Sequence, residues 1–95
     1  MPVRIVGIVS SISESGNLVT DITADQLAGA PRDDRVSVHC NDHVTNGIFT
    51  VGHGQPAMTL IALIGTSNCL EMEIVGDSAK MMLGATAGSQ VEVRW

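Results

Sequence analysis

The stretch GNLVTDI at residues 16–22 sets the pattern that most of the chain repeats. Gly16 and Asn17 are turn formers, and the five residues after them alternate between apolar and polar side chains. Such alternation is typical of a β-strand with one buried face. Two roles are open for this stretch: a simple turn that leads into a strand, or a polar cluster at the rim of a barrel that contacts a ligand.

The same pattern recurs on both sides of this stretch. Apolar and β-branched runs separated by turn residues predict strands at residues 3–11, 18–22, 35–40, 44–51, 58–65, 69–75 and 91–94. The run MTLIALIG at 58–65 is the most apolar, which favours a central strand. Asp77 is a suitable N-cap for a short helix over residues 77–83 that Gly84 ends, and Thr23 can cap a helical turn over residues 24–27. About seven strands with one or two short helical turns predict an all-β fold, a small closed Greek-key-like β-barrel.

The composition predicts a single domain with an aliphatic core, and it predicts self-association. The 95 residues predict a single domain over 1–95, and 44% hydrophobic residues with a mean hydropathy of +0.26 supply an ample core. Phe49 and Trp95 are the aromatic residues of the sequence, so this core is built from aliphatic side chains. Because so much apolar material is hard to bury in a short monomer, we expect a homo-oligomer.

Charge and cysteine content argue against several function classes. Ten acidic and five basic residues give a net charge of -5 and an isoelectric point near 4.8. This balance repels phosphate backbones and anionic membranes, so we expect neither nucleic-acid nor membrane partners. The sequence contains two cysteines, Cys40 and Cys69, and no secretion-signal pattern. We therefore expect free thiols and a cytoplasmic location.

The segment VHCNDHV gathers residue types that bind metals. His39, Cys40, Asp42 and His43 are all possible ligands for Zn²⁺ or a similar ion. In a strand, however, the neighbours His39 and Cys40 point to opposite faces. We therefore expect a solvated turn here and no native metal site. No motif pairs a nucleophile with a base either, so we expect no independent catalytic residues and no cofactor.

Two longer motifs, in the order found here, resemble one protein family. The first is GIV at residues 7–9 followed by GNLVTDI, and the second is IGTSNCLEMEIVGDSAKMMLGA at 64–85 followed by GSQVEV at 88–93. Together they resemble the C-terminal domain of the S-adenosylmethionine hydroxide adenosyltransferases, a superfamily that includes enzymes attacking the same substrate with fluoride or chloride. The resemblance covers residues 7–93. It implies a small closed β-barrel that contributes the adenine and methionine side of a site between the subunits of a trimer, while an N-terminal domain supplies most catalytic groups.

The resemblance assigns site residues by position. Asn17 matches the asparagine whose carboxamide hydrogen-bonds adenine, a task that suits a group with both a donor and an acceptor. Ser67 matches a serine near the methionine end of the ligand. Phe49 falls near an aromatic residue of the family that lies against adenine, and a position in the core is the alternative for it. Thr20 and Glu71 also match the family, and a purely structural role is equally expected for both.

Several positions depart from the family pattern. Ser15 stands where the family has phenylalanine before Gly-Asn, so a stacking face is absent there. The family aspartate falls near Ile12 or Ser13, so the carboxylate for the methionine amine is also missing. Asn68 stands where halogenating members carry arginine, and Asp77 and Ser78 replace a family Asn-Ala pair. For Asp77 the helix N-cap is an alternative role to ligand contact.

These observations predict a non-catalytic binding module that self-assembles, with a trimer as the family-based expectation. Its polar rim site would combine Asn17, Ser67, Asn68, Asp77 and Ser78, near Phe49. The expected ligand is a nucleoside-like or other small polar molecule rather than intact S-adenosylmethionine. Two alternatives stay open: an oligomeric structural barrel whose ligand site is degenerate, and an accessory subunit of a separately encoded S-adenosylmethionine-cleaving enzyme.

Overall fold

Within residues 3–41, 43–50 and 54–95, which the computed structural model describes, the chain forms eight strands and one short helix. The elements are β1 (Arg4–Ile12), β2 (Leu18–Thr23), β3 (Ser37–Cys40), β4 (His43–Asn46), β5 (Phe49–Thr50), β6 (Leu60–Ile64), β7 (Cys69–Ile74), α1 (Ala79–Leu83) and β8 (Gln90–Arg94). The predicted all-β fold with a short helical segment is confirmed. Residues 51–53, which include the end of the predicted 44–51 strand, lie outside the described residues, as does Asp42.

The strands form one sheet in the order β4-β3-β8-β1-β2-β7-β6-β5. Every ladder is antiparallel except that of β5 with β6. The last strand lies between the first and the third, so the two ends of the chain meet in the middle of the sheet. The sheet curls into a half-barrel, and Thr45 Oγ1 donates a hydrogen bond of 2.9 Å to the carbonyl of Leu60, which links β4 to β6.

The core fills the concave side of this sheet with aliphatic side chains. Val9, Leu18, Met72, Val91 and Val93 are fully buried, and each lies on a strand where its neighbours point to the other face. The alternation that predicted the strands therefore also selects the core. Among the described residues, the fully buried core contains no aromatic side chain, and Trp95 packs against it partly buried.

Two predicted strands differ from the structure. The run at 44–51 is divided, because Gly47 adopts a left-handed φ of +88° and donates its N–H to the carbonyl of Val36. The chain then continues as β5 beside β6. β6 itself lies second from the edge rather than at the centre. Its high apolar content has another cause, since Ile61 and Leu63 on its outer side are also buried.

The helix α1 ends as predicted, at Gly84, which has a φ of +65° and donates its N–H to the carbonyl of Lys80 over 3.0 Å. The predicted helical turn at 24–27 forms as consecutive turns, and Gln26 and Thr23 exchange backbone-to-side-chain hydrogen bonds there. Within the described residues, no helix has the length and apolar character needed to cross a membrane.

Candidate functional site

The turn before β2 is packed directly against the start of α1. Gly16 is buried with a φ of +88°, and a Cβ atom on it would lie 2.1 Å from Ser78 Oγ and 2.9 Å from Ser78 Cα. No side chain fits in that space. The carbonyl of Gly16 also accepts a 2.9 Å hydrogen bond from the N–H of Lys80 in the first turn of α1. The turn and the helix start are therefore held in one fixed arrangement.

The helix is capped by Ser78, which corrects the prediction that Asp77 is the N-cap. Ser78 Oγ accepts from the N–H of Met81 over 3.4 Å. Asp77 instead belongs to the turn that follows β7, because its N–H donates to the carbonyl of Ile74 over 3.0 Å. Its carboxylate accepts from the N–H of Ser78 over 2.7 Å. Asp77 thus orients the capping residue and leaves the capping itself to the hydroxyl.

These two segments border a cleft of about 430 Å³, called here the Asn17 cleft. Its lining consists of Ser15, Asn17, Glu73, Ile74, Gly76, Asp77 and Ser78. Asn17 is half-buried, its backbone is fixed by two 3.0 Å hydrogen bonds with Ser13, and its Nδ2 donates to Glu73 Oε1 over 3.4 Å. Three of the predicted site residues, Asn17, Asp77 and Ser78, therefore share one cavity.

The cleft is rich in hydrogen-bond acceptors. Two carboxylates, Glu73 and Asp77, line it together with the Asn17 carboxamide and two serine hydroxyls, and the described lining residues include no cationic side chain. Ionised carboxylates only accept hydrogen bonds, whereas a carboxamide both donates and accepts. This arrangement suits an uncharged or cationic molecule that presents several donors, such as sugar hydroxyls or exocyclic amines. It disfavours anionic ligands.

The other predicted residues lie at the opposite end of β7. Ser67 and Asn68 precede this strand, whereas Asp77 and Ser78 follow it, and the six residues of β7 span about 20 Å at roughly 3.3 Å per residue. Ser67 Oγ lies 3.2 Å from Glu71 Oε2. Asn68 has a left-handed φ of +62°, and its carbonyl accepts from the N–H of Ala24 over 2.9 Å. The single rim site expected from the sequence is therefore not assembled within one copy of the chain.

Phe49 lies near the same end of β7 as Asn68. It pairs with Leu63 on β6 and is half-buried. With Ala24 and four other residues it lines a second cavity of about 430 Å³. Because Ala24 is the hydrogen-bond partner of Asn68, the predicted residues form two groups: Asn17, Asp77 and Ser78 in the Asn17 cleft, and Phe49, Ser67 and Asn68 near the Cys69 end of β7.

Glu73 is a charged cleft residue that the sequence analysis did not select. Leu18 pairs with Met72, which places Asn17 beside Glu73 across the β2–β7 ladder. A signal for Glu73 was available in the sequence, because Glu71 and Glu73 alternate with apolar residues on one strand of the second motif.

The two other residues that match the family, Thr20 and Glu71, have structural contacts. Thr20 Oγ1 donates a hydrogen bond to the carbonyl of Leu70 over 2.7 Å. Glu71 is buried against Gly65, where a Cβ atom would lie 1.8 Å from its Oε2.

The histidine and cysteine segment separates as the strand period requires. Cys40 points into the core and is 1% exposed, and burial raises the pKa of its thiol. His39 faces the outer side, where its Nε2 lies 2.9 Å from Ser37 Oγ. In the described part of the chain, no group of three or more His, Cys, Asp or Glu side chains is arranged to hold a metal ion.

Comparison with known proteins identifies the fold and its family. A crystal structure of an uncharacterised conserved protein from Thermotoga maritima superimposes with a TM-score of 0.80 at 20% identity, over 98% of this chain and 38% of that one. A conserved hypothetical protein from Thermus thermophilus gives a TM-score of 0.72 at 23% identity, over 93% of this chain and 34% of that one. The chain thus spans little more than a third of the length of these structures.

No curated protein matches the chain in sequence. The family of the SAM hydroxide adenosyltransferase C-terminal domain matches residues 8–92, which is most of the chain and includes both groups of candidate residues. Only this C-terminal domain is matched. The chain therefore belongs to the SAM hydroxide adenosyltransferase C-terminal domain family.

Proposed function

We propose that the chain is a non-catalytic binding module whose Asn17 cleft holds a nucleoside-like molecule. The observation that carries the proposal is the convergence of the Asn17 carboxamide, two carboxylates and the Ser78 hydroxyl on one cavity of about 430 Å³. That volume lies within the range of roughly 300–1,000 Å³ that is usual for small-molecule sites.

A nucleoside matches the chemistry of this lining. The vicinal hydroxyls of ribose donate well to a carboxylate, as in dinucleotide sites where an acidic residue binds them. The carboxylates of Glu73 and Asp77 supply such acceptors. The carboxamide of Asn17 can donate to a ring nitrogen and accept from an exocyclic amine of a base. Intact S-adenosylmethionine fits less well, because the described lining residues include no cationic side chain that could pair with its carboxylate.

The expected affinity is low. Among the described lining residues none is aromatic, so the base gains no stacking, which contributes about 1–3 kcal/mol per base where it occurs. Because each 1.4 kcal/mol corresponds to about a tenfold change, the absent stacking weakens binding by about 5- to 140-fold relative to a stacked site, and we expect dissociation constants up to the millimolar range. A second copy that covers the cleft would raise this affinity.

Self-assembly is supported by exposed methionines beside the cleft. Met81 and Met82 on α1 are 81% and 52% exposed, and Met58 is 56% exposed. The N–H of Met58 donates to the carbonyl of Val75, the residue before Gly76 in the cleft wall. Flexible methionine side chains are favoured at adaptable contact surfaces. We propose that this surface, made by Met58, Met81 and Met82, meets a second copy of the chain.

A thermal-unfolding titration with adenosine, methylthioadenosine and S-adenosylmethionine tests the proposal. A ligand that binds only the folded state raises the melting temperature once its concentration passes the dissociation constant. We expect a dose-dependent rise with adenosine or methylthioadenosine that exceeds the rise with S-adenosylmethionine. No rise with any of them would leave the barrel without the proposed function, as an oligomeric scaffold whose ligand site is degenerate.

An accessory role in a two-chain enzyme is a second candidate, favoured by one observation. The matched structures are far longer than this chain, which covers 38% and 34% of them. In this case a separately encoded partner would supply the catalytic groups. Mixing the chain with such a purified partner should then increase the release of adenosine from S-adenosylmethionine, and equal rates with and without the chain would exclude the role.

A further inference from the structure

The outer face of the sheet carries two arginines in direct register. Arg4 on β1 is paired with Arg94 on β8. Like charges placed directly opposite each other across a ladder destabilise a sheet. Glu92 lies between them, accepting from Arg4 Nε through Oε1 and contacting Arg94 Nε through Oε2. One carboxylate therefore bridges two guanidinium groups, and the three side chains together carry a formal charge of +1.

The Glu92 carboxylate is buried and contacts both arginines, whereas the two arginine side chains are more than half exposed. The side chain of Glu92 is 7% exposed, but those of Arg4 and Arg94 are 62% and 56% exposed. Burial by itself would raise the pKa of Glu92, yet the hydrogen bonds from Arg4 and Arg94 outweigh it and lower that pKa. Both contacts involve Nε, and a guanidinium group carries five N–H donors in total. Donor capacity therefore remains on the solvent side of each arginine.

A pocket of about 290 Å³ opens beside this cluster. It is lined by His39, Asn41, Gln90, Glu92 and Arg94. Among these residues Glu92 is the single carboxylate, and the two arginines already satisfy it. The other four side chains offer hydrogen-bond donors: an imidazole, two carboxamides and a guanidinium group. His39 is directly paired with Glu92 and half-buried, so the sheet itself fixes its position.

We propose that this pocket, called here the Arg94 pocket, binds a compact oxyanion such as a phosphate or carboxylate group. Arg94 would be the main ligand, because the guanidinium fork matches the geometry of both groups. His39, on the adjacent strand β3, would supply a further donor.

Local charge sets this site apart from the rest of the molecule. The chain has a net charge of -5, and two of its five basic residues, Arg4 and Arg94, are concentrated here. The acceptor-rich Asn17 cleft would repel the same anions. The proposal is therefore independent of the proposed nucleoside function, and the two can succeed or fail separately.

The direct test is an NMR titration of the ¹⁵N-labelled chain with inorganic phosphate, with sodium chloride at equal ionic strength as the control. We expect saturating shifts of the amides of His39, Gln90 and Arg94 with phosphate. A parallel titration with acetate shows whether a carboxylate is also accepted, and saturation with either anion supports the site. Shifts that merely match those in chloride, or that spread evenly over the other basic residues, would overturn it.

Charge variants sharpen the test. Arg94→Gln should weaken phosphate binding by at least roughly tenfold, because a hydrogen bond to a charged group is lost. Glu92→Gln removes the competing carboxylate and should strengthen binding by a similar factor. Arg35→Gln is the matched control, since Arg35 is an exposed arginine paired with Asp33 over 2.9 Å.

Each result has a defined meaning. Arg94 is more than half exposed, so its substitution should leave the fold intact and make the titration readable. If Arg94→Gln binds phosphate as the unmodified chain does, the cluster has only a structural role as an ion-pair bridge. If Arg35→Gln weakens binding as much as Arg94→Gln, the effect is one of net charge and the proposed pocket is wrong.

Discussion

Gly16 and Ser78 are packed against each other beside the Asn17 cleft, so closely that a Cβ atom on Gly16 would lie 2.1 Å from Ser78 Oγ. Gly16 begins the GNLVTDI part of the first family motif, and Ser78 caps the helix of the second. The two motifs therefore meet in space through a contact that glycine alone permits. The stretch GNLVTDI at residues 16–22 is a turn that leads into β2, and it also forms one wall of the Asn17 cleft.

Replacing Gly16 tests this contact. Gly16→Ala combines a left-handed φ of +88° with a steric clash, so we expect a loss of about 2–4 kcal/mol in the free energy of unfolding. Urea denaturation measures it. Gly88→Ala is the matched control, because Gly88 has a φ of +94° and open space around its Cβ position. Equal losses in the two variants would show that the contact with Ser78 contributes nothing.

The capping assignment gives a second prediction. Ser78→Ala removes the acceptor for the N–H of Met81 and should lower the free energy of unfolding by about 1 kcal/mol. Asp77→Ala keeps that hydroxyl and should cost less. If chemical denaturation ranks the two variants in the opposite order, Asp77 is the residue that stabilises the helix start.

The buried thiol of Cys40 predicts a loss of stability at alkaline pH. Burial raises the pKa of this thiol above its ordinary value near 9.0, so the unfolded chain releases the proton first. The thiol's contribution to stability is fully present below the ordinary pKa and is lost as pH rises toward the folded pKa. Urea denaturation between about pH 8 and pH 10 should show the decline. Cys40→Ala should flatten it, and an unchanged slope in that variant would assign the decline to other groups.

The contacts of Glu92 predict that the free energy of unfolding falls as the pH is lowered into the acidic range. Although burial opposes ionisation, the two arginines lower the pKa of Glu92 below its ordinary value of 4.5. Its contribution is therefore present above that value and is lost as pH falls through the lower, folded pKa. Glu92→Gln should therefore flatten the acid side of the stability profile. A profile unaffected by Glu92→Gln would contradict the bridging role.

Side-chain alternation was sufficient to predict most of the strands, because in this fold one face of each strand meets a single core. It failed where both faces are buried. Ile61 and Leu63 are buried on the outer side of β6, so this strand is a continuous apolar run. Such a run predicted a central strand, although β6 lies next to the edge strand of the sheet. The break at Gly47 follows Asn46, and this Asn-Gly pair was a turn signal within the run predicted as one strand.

The candidate site was only partly predictable for a related reason. Residues 67–78 look like one motif in sequence, but β7 extends through the middle of it and separates Ser67 from Ser78. Because a strand is extended, residues at its two ends lie far apart in space although they are close in sequence. The partner of Asn17 is Glu73, and identifying it required the pairing of β2 with β7, which neither motif encodes alone.

The most direct test of the central claim is an NMR titration with adenosine, in which the backbone amides around the Asn17 cleft are followed. We expect saturating shifts at Asn17, Glu73 and Ser78 at millimolar adenosine, and the loss of these shifts in Asn17→Ala. Asn46→Ala is the matched control, because Asn46 on β4 also donates one side-chain hydrogen bond, to the carbonyl of Asp34 over 3.3 Å. Shifts that are absent, or that persist unchanged in Asn17→Ala, would contradict a nucleoside-binding cleft.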